Sequence, residues 1–141
     1  MSETSLKLFQ DLPVETLLAI LDALPVDVSF VDAEDTVTYF NLPAEGRIFP
    51  RAKTDLGRKV QRCHPPKSLH LVNQVLEELK SGRKKSVDFW IQQQGRMIYI
   101  RYFPVRDGEG NYLGTLEVTQ DVTEIRQLEG EKRLVDPAEG D

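Results

Sequence analysis

Residues 81–125 read SGRKKSVDFWIQQQGRMIYIRYFPVRDGEGNYLGTLEVTQDVTEI. Three runs rich in apolar, aromatic and β-branched residues are separated here by turn-forming residues. Val87, Phe89 and Ile91 alternate with Asp88 and Trp90, the period of a half-buried strand. Gly95 turns the chain into a longer run over 97–105. The turn signal Asp107-Gly108-Glu109-Gly110-Asn111 then leads into a third run over 112–119. Residues 86–119 are therefore predicted to form a three-stranded antiparallel meander. Alternation puts Ile98, Ile100 and Tyr102 on one side of the middle strand and Tyr99, Arg101 and Phe103 on the other, and it leaves open which side faces the core.

Upstream, two short apolar runs at 28–31 and 37–40 flank the polar connection Asp32-Ala33-Glu34-Asp35, the pattern of a hairpin. A helix is predicted over 12–24. Val14, Leu17, Leu18, Leu21 and Leu24 recur at helical spacing, Pro13 suits the first turn, and Pro25 stops it. Residues 41–57 carry Pro43, Gly46, Pro50 and Gly57, which permit only short helical turns. Pro65-Pro66 opens a second helix whose apolar face is Leu69, Val72, Val75, Leu76 and Leu79, and Ser81-Gly82 ends it.

With 141 residues the chain fits one domain with an ordinary core. Its 40% hydrophobic and 29% charged residues are those of a globular protein. The formal charge of −5, with basic and acidic residues interleaved, argues against a nucleic-acid-binding face. A single cysteine, Cys63, excludes an internal disulfide and a multi-cysteine zinc site. Neither a signal peptide nor a membrane span is read from the apolar runs, so the expected location is cytoplasmic.

The order of these elements, with the residues at their joints, resembles the PAS domain family. The matching residues are Phe30-Val31-Asp32 and Tyr39-Phe40-Asn41 of the first hairpin, and Gly57-Arg58 and His64-Pro65 before the long helix. Gly82 after that helix, the Asp107–Gly110 turn and the closing Asp121-Val122-Thr123-Glu124 complete them. A closer likeness is to PAS modules fused to hemerythrin-like helical domains. It is carried by Ile48-Phe49-Pro50-Arg51, residues 57–66, Phe89-Trp90-Ile91, residues 99–103 and residues 128–134. This chain is expected to be such a module standing alone.

The resemblance implies an α+β fold: a five-stranded antiparallel sheet with helices on one face, an N-terminal amphipathic helix and a short C-terminal helix. Residues 1–24 would form the tail and first helix, 25–124 the PAS domain, and 125–141 a C-terminal helix and frayed tail. It also implies a non-catalytic sensory or ligand-binding module that homodimerises through residues 14–24. Such a module signals through that dimer or to a partner in trans, without nucleic acid or membrane. Any ligand would sit between the sheet and the long helix. The candidate lining residues are Val72 and Leu76 of the helix, Trp90, Ile100 and Tyr102 of the strands, and Cys63, His64 and His70.

Haem b is the leading cofactor candidate, because haem-binding relatives take an axial histidine from the long helix, where this chain has His70; Cys63 and His64 are alternative ligands. Helix phase opposes His70, which shares a face with Asn73, Gln74, Glu77 and Glu78, the solvent side. A photoactive flavin is not expected. Its reactive cysteine would follow the glycine by about three residues, whereas Cys63 lies six after Gly57, and Thr119 stands where a flavin-contacting glutamine belongs. Cys63 next to His64 is read as packing and helix-entrance hydrogen bonding rather than as a nucleophile with its base, since that role needs groups converging from different elements. A ligand-free interaction module is the further alternative.

Overall fold

The computed structural model describes residues 10–135. The element order is α1 (Val14–Ala23), β1 (Asp27–Asp32), β2 (Val37–Phe40), α2 (Leu69–Lys80), β3 (Val87–Gln93), β4 (Arg96–Arg106) and β5 (Tyr112–Asp121). Short 3-10 turns at Lys53–Asp55, Val60–Cys63 and Pro66–Ser68 lead into α2. The last is closed by Ser68 N–H donating to the Pro65 carbonyl at 2.9 Å, and the regular helix begins at Leu69. The C-terminal helix expected over 125–141 is, among the described residues, one 3-10 turn at Ile125–Gln127, and residues 136–141 lie outside them.

The five strands form one antiparallel sheet in the order β2-β1-β5-β4-β3. The hairpin and the meander are joined by β1 and β5, which pair along all of β1 from Asp27 opposite Thr119 to Asp32 opposite Gly114. That last pairing requires glycine. A Cβ at Gly114 would stand 2.2 Å from the Val31 carbonyl oxygen and 2.5 Å from the Phe30 ring.

Alternation along the strands sorts their side chains onto two faces. Ile98 and Ile100 of β4 are buried towards α2, with Val31 of β1 on the same face. This fixes the face of β4 that the sequence left open. Leu79 of α2 is wholly buried and Leu76 nearly so, each worth roughly 1.5–3 kcal/mol of apolar transfer. Leu76 packs in one cluster with Val31, Val37 and Val60, against which Cys63 and Val72 lean.

On the opposite face, the Trp90 and Tyr99 rings lie 6.3 Å apart and the Arg101 guanidinium stacks over Tyr99 and Phe103. The central strands β1 and β5 invert the usual rule for this sheet. Asp27, Ser29, Thr115 and Thr119 are buried on the helix-facing side, while Phe30, Leu116 and Val118 occupy the other.

The segment after β2 is held by a buried polar network. Both Asp27 carboxylate oxygens accept from backbone N–H groups, those of Ile48 and Phe49, at 3.0 and 2.8 Å. Arg47 donates to the carbonyls of Phe49, Val28 and Asn41 and to Ser29 Oγ. Asn41, fully buried, donates to the carbonyls of Leu21 and Val26 and accepts from Val28 N–H at 2.7 Å. One amide thereby ties the end of α1 to the start of β1.

Candidate functional site

A cavity of about 530 Å³ lies between α2 and the helix-facing side of the sheet. Val72, Val75 and Leu76 form its helix wall; Val87 and Phe89 of β3, Tyr102 of β4 and Val31 of β1 form its sheet wall. Its size and its mainly apolar lining are those of small-molecule pockets, which run to roughly 300–1,000 Å³.

The sheet wall has an aromatic part. Phe89 and Tyr102 stack with ring centroids 6.2 Å apart and planes inclined by 27°. Burial pushes the Tyr102 phenol well above its ordinary pKa, with Glu117 adding to the effect and Arg51 opposing it. The group therefore remains a neutral hydroxyl, able to donate and to accept. Glu117 stands directly opposite Tyr102 across the β4–β5 ladder and also lines the cavity. At one end the Lys84 ammonium pairs with Glu78 at 2.8 Å, and Gln74 donates to the same carboxylate. Those two contacts lower the Glu78 pKa, Lys84 foremost.

Of the eight site residues expected from sequence, the structure brings four to the cavity: His64, Val72, Leu76 and Tyr102. Ile100 is buried beside it without lining it, and Cys63 leans on the core cluster instead. Trp90 sits on the other face of the sheet, 61% exposed, because it neighbours the inward Phe89 on a period of two. His70 is exposed and outside the lining, although Gln74 and Glu78, which share its helix face, are part of it. Phe89 and Glu117, both at the cavity, are not among the site residues expected from sequence.

His64 precedes Pro65 in extended backbone, and its Nδ1–H donates to the Val60 carbonyl at 3.0 Å. Because a carbonyl can only accept, this bond puts the proton on Nδ1 and leaves Nε2 as the lone-pair nitrogen of the neutral ring. Of the three candidate haem ligands, His70 stands outside the cavity and Cys63 leans on the core, which leaves His64, and the carboxylate of Glu117 in the same lining has the wrong sign for an anionic porphyrin edge. Among the described residues, no group of three His, Cys, Asp or Glu side chains could hold a metal ion.

The closing Asp121-Val122-Thr123-Glu124 is a second polar constellation. Arg96 Nε donates to Asp121 Oδ2 at 2.7 Å, and Arg96 also pairs with Glu124. Asp121 Oδ1 accepts from Thr123 N–H and Oγ1–H, while Thr123 Oγ1 accepts from Met97 N–H. The Arg96 contact, followed by those of Thr123, holds the Asp121 pKa down at about 2. No helix among the described residues is long and apolar enough to cross a membrane.

Comparison with known proteins agrees with this architecture. A C-terminal domain from Streptococcus mutans is 38% identical in sequence, with a TM-score of 0.78, over 84% of this chain and 91% of that one. A PAS domain from Colwellia psychrerythraea superposes with a TM-score of 0.56 over 79% and 98% of the two chains at 16% identity. A sensory box sensor histidine kinase from Vibrio cholerae does so at 0.55 over 85% and 98%, also at 16% identity. At that identity the last two speak for the fold alone. Among curated proteins none matches. The sequence model of the PAS domain matches residues 17–123, from within α1 to the closing Thr123, so this chain belongs to the PAS domain family.

Proposed function

We propose that this PAS domain is a non-catalytic sensory module whose ligand is a small molecule held between α2 and the sheet. The observation that carries the reading is the 530 Å³ cavity at that place, with an apolar wall and a few convergent polar groups. Its ligand would touch α2, β4 and β5 together. β5 runs directly into Asp121–Glu124, which Arg96 and Thr123 fasten to the start of β4. A ligand that favours one arrangement of α2 against β5 would therefore bias the segment that follows, provided it binds the two arrangements with different free energies.

The output is proposed to pass through a homodimer or to a partner in trans. Helix α1 has no buried residue, and Val14, Leu17, Leu18, Ile20 and Leu24 are all exposed. A second copy of the chain would cover this face. Catalysis by Cys63 finds no support in the site: the thiol leans on the core, and its neighbour His64 is engaged by a backbone carbonyl.

The test is a cavity-filling variant, Val72→Phe, compared with the wild type in a protein-observed NMR screen of small aromatic and aliphatic compounds. The wild type is expected to show saturable shifts at cavity residues, and the variant to lose them while keeping its dispersed spectrum. Equal binding by both proteins would place the ligand elsewhere. Added hemin is expected to give no Soret band that depends on His70.

A further inference from the structure

The charge that this cavity leaves uncompensated is negative. Among its lining residues Lys84 is already paired with Glu78, at 2.8 Å. Asp88, at the rim, accepts from the Tyr99 hydroxyl on the other face of the sheet. Glu117 is different. It stands on the central strand β5 and makes no ion pair among the described residues. Its sole polar contact there is a long hydrogen bond from Thr119 Oγ1, at 3.3 Å.

A partly buried carboxylate with no ion-pair partner in contact is costly, and a cation supplied from outside would relieve it. The wall beside it points to the same partner. Phe89 and Tyr102 are stacked aromatic rings lining the same space, and their faces attract a desolvated cation through the ring quadrupole. Carboxylate and aromatic wall are contiguous, since Glu117 is the direct cross-strand neighbour of Tyr102.

We propose that the cavity takes a small organic cation, an ammonium group on an apolar or aromatic body, with Glu117 as its counter-ion and Phe89 and Tyr102 as its aromatic wall. This rests on the reading of the cavity as a ligand site. The apolar body would lie against Val72, Val75 and Leu76 of α2. Two groups argue for the opposite sign, and both stand outside the lining: Arg47, on which Glu117 acts but which is engaged by Asp27 at 3.8 Å, and Arg51, which has a buried Nε without a hydrogen-bond partner and acts on Tyr102.

Three probes of matched shape decide between them: 2-phenylethylammonium, neutral 2-phenylethanol and 3-phenylpropionate, titrated into the full chain and into Glu117→Gln. The ammonium is expected to bind about tenfold more tightly than the carboxylate, a difference of about 1.4 kcal/mol. Glu117→Gln should abolish that preference and leave the affinity for 2-phenylethanol unchanged. A carboxylate preference would overturn the proposal and assign recognition to Arg51. A cation preference that survives Glu117→Gln would overturn the role of Glu117. Binding of none of the three would overturn the cavity reading itself, a result distinct from binding without charge preference, which overturns only the cation.

Discussion

The guanidinium of Arg47 lies 3.8 Å from the carboxylate of Asp27, and both side chains are almost wholly buried, at 4% and 3% exposure. Burial lowers the Arg47 pKa and Asp27 works against that, so the pair keeps a charge inside the domain by supplying its opposite. Removing one partner strands the other. Asp27→Ala is expected to cost about 3–5 kcal/mol in urea unfolding. The double variant Asp27→Ala with Arg47→Met should fall well short of the sum of the two single losses. Additive losses would show that the two residues act independently.

Asp121 gives stability a defined pH dependence. Its folded pKa is held near 2, chiefly by Arg96, below the roughly 3.9 of an unfolded aspartate. The depressed value means that its contribution is fully present above about pH 4 and is lost as pH falls towards 2. Asp121→Asn should flatten this part of the pH–stability curve and cost about 1 kcal/mol at neutral pH, because the contact is partly solvent-screened. An unchanged acid limb in the variant would refute the assignment.

Gly114→Ala tests the β1–β5 junction. The new methyl would meet the Val31 carbonyl oxygen at 2.2 Å, and backbone on one side and a ring on the other leave it no room. A loss of about 1–3 kcal/mol is expected. It should come with altered amide shifts at 30–32. An unperturbed melting temperature would contradict the close approach.

Leu18→Glu places a charge on the exposed apolar face of α1. The wild type is expected to elute at twice its 16.1 kDa mass in light-scattering chromatography, and the variant at the monomer mass. Since α1 has no buried residue, the variant's stability per protomer should change by less than about 0.5 kcal/mol. A wild-type monomer at high concentration would remove α1 as the dimer element.

The sheet was legible because turn residues at Gly95 and 107–111 divide it and because β4 alternates clearly. The site was only half legible. In β5 the alternation favours Leu116 and Val118 as core, yet the structure turns Thr115, Glu117 and Thr119 towards α2. The helix-facing side of this central strand is polar, with Thr115 and Thr119 buried there, so hydrophobic period no longer tells inside from outside. Glu117 is accordingly absent from the site residues expected from sequence. His70 is exposed as its phase suggests, but phase alone does not keep a residue out of the cavity, since Gln74 and Glu78 on the same helix face line it. The Asp27–Arg47 pair joins residues twenty positions apart through an irregular loop, and no local periodicity encodes such a contact.

The central claim is that the space between α2 and the sheet is a ligand site coupled to the end of β5. Its most direct test is a ¹H–¹⁵N titration of the wild type and Val72→Phe with 2-phenylethylammonium. The account predicts saturable shifts in the wild type at Val72–Leu76, Phe89, Tyr102 and Glu117, extending to Asp121–Ile125, and none of these in Val72→Phe. Shifts confined to the exposed face of the sheet around Trp90 and Tyr99, or identical in both proteins, would contradict it.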